Sequence, residues 1–362
     1  MKYSYLLLIS FLMLFFSCSS QESKNKNYEI VVADLSIPWG FTFLPDNSIL
    51  ITEKEGQLIH FKKGKKTEIK GMPKVTLRGQ GGLMDIELHP NFKKNNRIYF
   101  TYASSEGEGK GANTTLMSAE LKNNKLINKK VLYKAIPNTR KGQHFGSRIV
   151  FDKQNYVYFS VGDRGNRDKN PQDITRDGGK IYRLNDDGTI PKDNPFVNEE
   201  NAKKAIFSYG HRNPQGMEIN PFTNEIWSHE HGPKGGDEIN IIKKGKNYGW
   251  PVISYGVNYS GTKFTEITKK EGMEQPLHYW TPSIAPSGMA FVNSDKYLKW
   301  KGNLLVGSLK FQYITVCALK NGKVIKEEKI LEELGRVRSI EQGKDGYLYA
   351  GIEGVGIVRI NP

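Results

Sequence analysis

Cysteine is nearly missing from this chain: Cys18 and Cys317 are the only two in 362 residues. A disulfide-stapled scaffold is therefore excluded, and stability has to come from packed secondary structure. Long apolar runs are missing as well. The run from Tyr5 to Phe16, interrupted by Ser10, is too short to cross a bilayer. No extended stretch repeats its apolar residues at the 3.6-residue period of a helix. Acidic excess is absent too, since 53 Lys and Arg stand against 38 Asp and Glu for a net charge of +15. No nucleic-acid-binding module accompanies that charge, so neither RNA nor DNA is read as a partner. Lysine runs such as Lys62-Lys63-Gly64-Lys65-Lys66 read as solvated hairpin tips. The charge also leaves open an anionic partner: a membrane surface, an acidic cofactor or an acidic electron-transfer protein.

The N-terminus carries a different signal. Lys2 precedes the apolar run, which ends in Phe15-Phe16-Ser17-Cys18-Ser19-Ser20. Twelve residues suit the core of a signal peptide, and a small residue followed by Cys resembles a bacterial lipoprotein cleavage site. Residues 1–17 are thus expected to be a lipoprotein signal peptide. Cys18 is expected to carry the lipid, and residues 18–27 to form a flexible tether. The protein is then exported to the periplasm or cell envelope and held at a membrane. Cys317, in Tyr313-Ile314-Thr315-Val316-Cys317-Ala318-Leu319, reads as an inert thiol on a buried strand.

What the chain has in quantity is glycine (37), tyrosine (18) and phenylalanine (17), a composition of strands joined by tight turns. A degenerate unit recurs six times: an alternating strand, a turn of Pro, Asn, Asp or Gly, and a second alternating strand. The copies begin near Gly40, Leu83, Ser147, Gly216, Gly288 and Arg338. A single hairpin cannot bury its apolar face, so such units must stack. Six copies predict an all-β fold, a six-bladed β-propeller of four-stranded antiparallel blades over residues 28–362, with a β-sandwich as the alternative. At about 56 residues per blade the units exceed the ~40–45 of minimal blades. The surplus is expected in long loops after the third and fourth copies, Gly162 to Phe196 and His229 to Tyr259.

Those loops and their surroundings hold the polar chemistry. His144, in Gly142-Gln143-His144-Phe145-Gly146-Ser147, is placed as a general base at the mouth of the propeller. Asp163 follows in the same unit and is placed to orient it. Gly210-His211-Arg212-Asn213-Pro214 sets a guanidinium fork beside an amide, which suits a planar ligand bearing carboxylates and carbonyls. Lys310, Arg336 and Arg338 add cations, the last two alternating in extended chain and so pointing the same way. Glu230-His231-Gly232-Pro233-Lys234-Gly235-Gly236-Asp237-Glu238 turns the backbone so that carbonyls face one point with carboxylates nearby. That is hard-cation chemistry, hence Ca²⁺. His229 and His231 leave zinc as an alternative, with no third nitrogen or sulfur ligand nearby.

In this order, these segments resemble the glucose/sorbosone dehydrogenase family, and within it the soluble aldose sugar dehydrogenases that use pyrroloquinoline quinone (PQQ). The resemblance runs from Ile37-Pro38-Trp39-Gly40 through Gly79-Gln80-Gly81-Gly82-Leu83, His211-Arg212-Asn213-Pro214-Gln215-Gly216, Glu230-His231-Gly232-Pro233, Gly236-Asp237-Glu238, Asn247-Tyr248-Gly249-Trp250-Pro251 and Asn258-Tyr259-Ser260-Gly261 to Ser287-Gly288-Met289-Ala290-Phe291. It implies PQQ across the central channel and oxidation of aldose sugars at C1, with His144 as base and Asp163 paired to it. Gln80, Arg212, Asn213, Tyr259, Lys310, Arg336 and Arg338 match cofactor contacts. Gly232 and Pro233 match the ligands of a calcium beside the quinone, with Asp237 behind them, and Glu238 and Tyr248 match a second calcium site. The electron acceptor is expected near the membrane, a quinone or a cytochrome.

Two other readings stay open. A calcium-dependent lactonase or esterase propeller would need a cation deep in the channel and has no use for the Arg and Lys set. A non-catalytic, lipid-anchored sugar-binding propeller leaves the His144–Asp163 pair unexplained.

Overall fold

The computed structural model describes residues 27–362. The expected signal peptide, Cys18 and nearly all of the tether lie outside them. Six four-stranded antiparallel sheets make up almost the whole of the described chain. Helix is limited there to Phe92–Asn95 and a 3₁₀ turn at Asp295–Tyr297, and among the described residues no helix is long and apolar enough to cross a membrane.

The inner strands of blades I to VI are Pro38–Phe43, Leu83–Leu88, Ile149–Phe151, Pro214–Ile219, Pro286–Phe291 and Val337–Gln342. Each touches the next, and blade VI touches blade I, so the ring closes into the expected six-bladed propeller. The six recurring hairpins of the sequence are the two innermost strands of each blade. Closure is made by Tyr28–Ala33, which pairs antiparallel with Gly356–Ile360 as the outermost strand of blade VI.

Alternation explains why the blades stack. In Ile49–Glu53, Ile49 and Ile51 pack towards blade VI while Leu50 packs towards blade II. Both faces of a middle strand are thus buried, and one apolar cluster fills each of the six interfaces between neighbouring blades. Truncating a residue such as Leu50 to Ala costs about 2–5 kcal/mol through lost transfer energy and the cavity left behind. Cys317 sits in the interface between blades IV and V, and burial raises its thiol pKa, which leaves it inert.

Part of the expected insertions is strand. Lys180–Leu184 and Asp237–Ile242 are the third strands of blades III and IV. Lys180 and Arg183 disguise the first as loop. Lys180 is fully buried with its ammonium on the carbonyls of Asn170, Pro171 and Gly178, and Arg183 is bonded to Asn194 and Asp193. The loops that remain run from 162 to 179, 185 to 205, 231 to 236 and 243 to 277. The Lys62–Lys66 run is an exposed hairpin tip as expected, with Lys62 on Asp46 at 2.7 Å.

A feature not visible in the repeat is a bulge at one end of five inner strands. The pairing register shifts across 38/40, 83/86, 214/216, 287/289 and 337/339. In blade III the same place is taken by a segment with positive φ at His144 (58°), Gly146 (63°) and Ser147 (98°). Bulges re-aim side chains out of the strict alternation, and here they gather Trp39, Asp85, Gln215 and Arg338 at one end of the axis.

Arg148 of blade III floors that end. It donates to Asp85 Oδ1 (2.8 Å), the Gln215 carbonyl (2.7 Å) and the Arg338 carbonyl (2.6 Å), and its guanidinium lies 4.4 Å from the Trp39 ring centroid. One buried cation thereby ties together five blades. Deeper along the axis, Glu87, Glu218 and Glu341 hold equivalent positions on blades II, IV and VI. Burial raises all three carboxyls, each further raised by its acidic neighbours, and Glu218 is pushed up to about 7.

Candidate active site

His144 is bound on both sides. Its backbone N–H donates to Gln80 Oε1 at 2.8 Å, and its Nδ1 lies 2.6 Å from Asp163 Oδ1. A carboxylate accepts only, so Nδ1 carries the proton and Nε2 presents a lone pair. Nε2 has no hydrogen-bond partner among the described residues. Burial first, and the Arg212 charge second, lower the imidazole pKa against the pull of Asp163. The ring is neutral and basic at neutral pH, as a general base needs to be.

Asp163 is fixed more tightly than the spacing suggests. Oδ1 also accepts from Gly165 N–H (2.6 Å) and Oδ2 from the Trp250 indole (2.9 Å). Burial alone would raise this carboxyl; the hydrogen bond and charge of His144, then Arg212 and Trp250, bring it below the ordinary range. The close approach requires glycine at 162, where a Cβ would overlap the His144 carbonyl. Trp250 belongs to a motif noted in the sequence, but its bond to Asp163 crosses 87 residues and no local pattern signals it.

Arg212 and Asn213 lie next to this pair. Asp163 N–H donates to the Arg212 carbonyl at 2.7 Å, and Asn213 Oδ1 accepts from Gly146 N–H at 3.0 Å. Arg212 Nη1 donates to the His231 carbonyl at 3.1 Å. Two buried donors are left without partners, Arg212 Nε and Asn213 Nδ2. Native interiors rarely leave such groups unpaired, and adjacent orphan donors mark a seat for an acceptor-rich ligand. Glu230 serves as a brace here: it accepts from Arg212 N–H and meets His211 Nδ1 at 2.9 Å. The sequence pattern places Glu230 among carboxylates near a cation; in the structure it braces His211 and Arg212.

A cavity of about 420 Å³ opens over these groups, lined by Gln80, His144, Asp163, Arg212, Pro233 and Tyr259 among others. That size suits a small ligand. Tyr259 is 72% exposed at its edge. On the far side, Arg336 and Arg338 converge on Glu353, as their shared direction implied, and Arg336 Nη1 also donates to the Leu309 carbonyl at 3.2 Å. Lys310 N–H donates to the Ile284 carbonyl at 3.2 Å. The Lys310 ammonium has no ion pair among the described residues and lies 4.8 Å from the Phe311 ring centroid. Residues 144, 212, 310 and 338 therefore belong to one end of the molecule.

The glycine-rich loop at 232–236 is held by Asp237. Its carboxylate accepts from Gly232 N–H (2.8 Å), Ser283 Oγ (2.9 Å), Ile284 N–H (2.7 Å) and Ala285 N–H (3.0 Å). With both oxygens engaged, Asp237 shapes the loop, and the carbonyls of Gly232 and Pro233 accept no bond among the described residues. Gly232 is packed so closely on Gly235 and Gly236 that a Cβ would overlap their backbone. Behind it, a void of about 10 Å³ is lined by Glu230, Glu238, Tyr248 and Ser254 among others. Burial, then the Glu230 charge, push Glu238 up to about 8. The Tyr248 side chain is committed elsewhere, stacked on His211 with its hydroxyl donating to the Ile241 carbonyl at 2.6 Å. No group of three or more His, Cys, Asp or Glu stands ready for a metal among the described residues; a cation here would rely on backbone oxygens. His229 and His231 each meet a blade V carbonyl, at 3.2 and 2.7 Å, which uses their rings in the propeller and not in a zinc site.

Fold and site together define a β-propeller oxidoreductase type: an imidazole–carboxylate pair beside a cationic, donor-rich seat at the axial mouth. The chain belongs to the Glucose / Sorbosone dehydrogenase family, whose model matches residues 35–358. It is 43% identical over 331 residues to the aldose sugar dehydrogenase YliI of Escherichia coli K12, covering 89% of either chain. The crystal structure of the soluble aldose sugar dehydrogenase of Escherichia coli in the apo form is similar with a TM-score of 0.88 at 40% identity, over 93% of this chain and 99% of that one. The PQQ-bound form of an aldose sugar dehydrogenase from Streptomyces coelicolor matches with a TM-score of 0.75 at 26% identity, over 91% of this chain and 96% of that one.

Proposed function

We propose that this enzyme oxidises aldose sugars at C1 to lactones, with PQQ as its redox group, calcium as its metal and His144 as the general base. The carrying observation is the unpartnered Nε2 of His144, a residue that lines the same cavity as Arg212 and Tyr259. The activity named for its relatives supports the substrate class, and the PQQ-bound relative supports the cofactor.

The residues present fit such a group. Arg212 Nε and Asn213 Nδ2 are orphaned donors, and Lys310, Arg336 and Arg338 supply cations for a tricarboxylate, with Gln80 and Tyr259 at its edge. When bound, PQQ accepts the C1 hydride and so supplies the redox chemistry. The Gly232 and Pro233 carbonyls would hold a calcium that polarises the quinone, and Glu238 with the Tyr248 carbonyl would hold a second, structural one.

The chain's own part is proton handling and orientation. His144 Nε2 takes the proton of the C1 hydroxyl as the C1 hydride leaves. Asp163 holds Nδ1–H, keeps the tautomer and stabilises the imidazolium that forms. Gln80 pins the backbone of residue 144, so the ring cannot drift from the sugar.

Incubation of the purified protein with PQQ and calcium, then with aldoses and an artificial electron acceptor, tests the reading. Dye reduction that requires both additives is the expected result. Lactone hydrolysis without PQQ, or sugar binding with no oxidation, would replace it with a hydrolase or a binding protein. We also propose that Cys18 is lipidated and keeps the enzyme at a cell-envelope membrane, where a quinone or a cytochrome takes the electrons. Loss of membrane association in Cys18→Ser is the expected outcome, and unchanged fractionation would remove the anchor.

A further inference from the structure

Two of the cations at the axial mouth already hold a carboxylate of the same chain. Arg336 donates from Nε to Glu353 Oε2 at 2.9 Å. Arg338 sets Nε, at 3.1 Å, and Nη2 on Glu353 Oε1. The Nε/Nη2 edge of Arg338 is therefore occupied, with both donors sharing one carboxylate oxygen. Arg336 Nη2 and Arg338 Nη1 are the terminal nitrogens left without a hydrogen-bond partner among the described residues.

Glu353 differs from the other carboxylates of this end. Asp163, Glu230 and Asp237 each accept backbone N–H groups and shape a loop. Glu353 accepts from guanidinium groups alone. Without it, two positive groups would face each other across a short gap, one of them largely buried, with nothing to offset their repulsion. A ligand carboxylate arriving at the same place offers those arginines what Glu353 offers already.

Resting on the reading of this site as the seat of a tricarboxylate quinone, we propose that Glu353 is an internal competitor of the cofactor: it neutralises Arg336 and Arg338 in the cofactor-free protein and thereby weakens their hold on PQQ. It acts on the cofactor through the arginines, so it is a positioning residue and not a catalytic one. Its two effects have opposite signs. It stabilises the cofactor-free fold and lowers affinity for the anion. A residue that merely propped the arginines would, when removed, reduce both.

Glu353→Gln keeps the shape and removes the charge. PQQ is titrated into wild-type and variant protein by tryptophan fluorescence, and the melting temperature of each is measured without PQQ. Wild-type protein that fails to bind PQQ rejects the reading of the site, whatever Glu353 does. Given wild-type binding, Glu353→Gln is expected to bind PQQ about tenfold more tightly, to melt at lower temperature without it, and to lose affinity more steeply with added salt. Equal or weaker binding overturns the proposal. Should that variant not fold, Glu353→Asp, which draws the carboxylate back by one methylene, carries the same test. About threefold tighter binding is then expected, and unchanged or weaker binding overturns the proposal.

Discussion

Asp163 and Glu353 stand at the same opening, each against a basic side chain, and their surroundings differ. Asp163 has a side chain 1% exposed and accepts an imidazole, an indole and a backbone N–H. Glu353 is 16% exposed and accepts guanidinium groups only. Neutral donors of fixed position make a carboxylate an orienting device, because nothing that enters the cavity can replace them. On the proposal above, guanidinium partners leave the carboxylate exchangeable, because an incoming anion offers them the same charge. On the proposed function, blades III and IV supply a rigid proton-handling corner, and blades V and VI an adjustable anion-binding corner.

The division can be attacked from the rigid side first. His144→Ala is expected to lower turnover by about 10²–10⁴, the usual worth of a general base, while PQQ affinity measured by fluorescence titration stays within about twofold. Loss of PQQ binding in that variant would show that the two corners are not separable. Asp163→Asn should reduce kcat/KM by about 10–100-fold, as loss of an orienting partner does. Because Asp163 raises the imidazole pKa, its loss lowers that pKa further. The acidic limb of the pH–rate profile, already below the ordinary histidine value of about 6.5, should then move to still lower pH. A shift to higher pH would contradict the assigned tautomer.

Trp250→Phe removes one donor from the buried carboxylate and keeps the ring. A cost of about 1.5–3 kcal/mol at neutral pH is expected in urea unfolding. The Asp163 pKa is depressed in the folded state. The stability it contributes is therefore present above the unfolded carboxyl value, about 3.9, and is lost as pH falls through the folded one, so wild type and variant should converge in acid. The smallest effect belongs to the adjustable corner. Lys310→Ala, at an exposed ammonium, should weaken PQQ about two- to fivefold, with kcat unchanged at saturating cofactor and the difference fading at high salt.

The propeller is legible in the sequence because its evidence is local and repeated. Each inner hairpin carries its own alternation and turn, so six weak signals add. His144, Asp163 and Arg212 are legible because each stands at the end of such a hairpin, where a polar residue has no apolar face to join. Strands Lys180–Leu184 and Asp237–Ile242 are hidden, since their polar residues are satisfied by groups outside the strand, 11 residues away for Arg183 and 47 for Asp237. The bulge that aims Arg338 is hidden for a related reason: strict alternation is the very assumption that a bulge breaks. Trp250 and Glu353 carry no local pattern, because their roles lie in what they touch and not in what they follow.

Among the described strands Tyr28–Ala33 is made first, and it pairs with Gly356–Ile360, which is made last. The ring therefore cannot be completed until Gly356–Ile360, the last of the described strands, has been made. Until then Tyr-Glu-Ile-Val-Val-Ala is a bare, β-prone edge with no mate, and blade VI lacks its rim. A growing or stalled chain is consequently at its most vulnerable to strand exchange with a neighbouring copy at this seam. Once the seam is shut, unzipping the circle means separating the segments farthest apart in sequence.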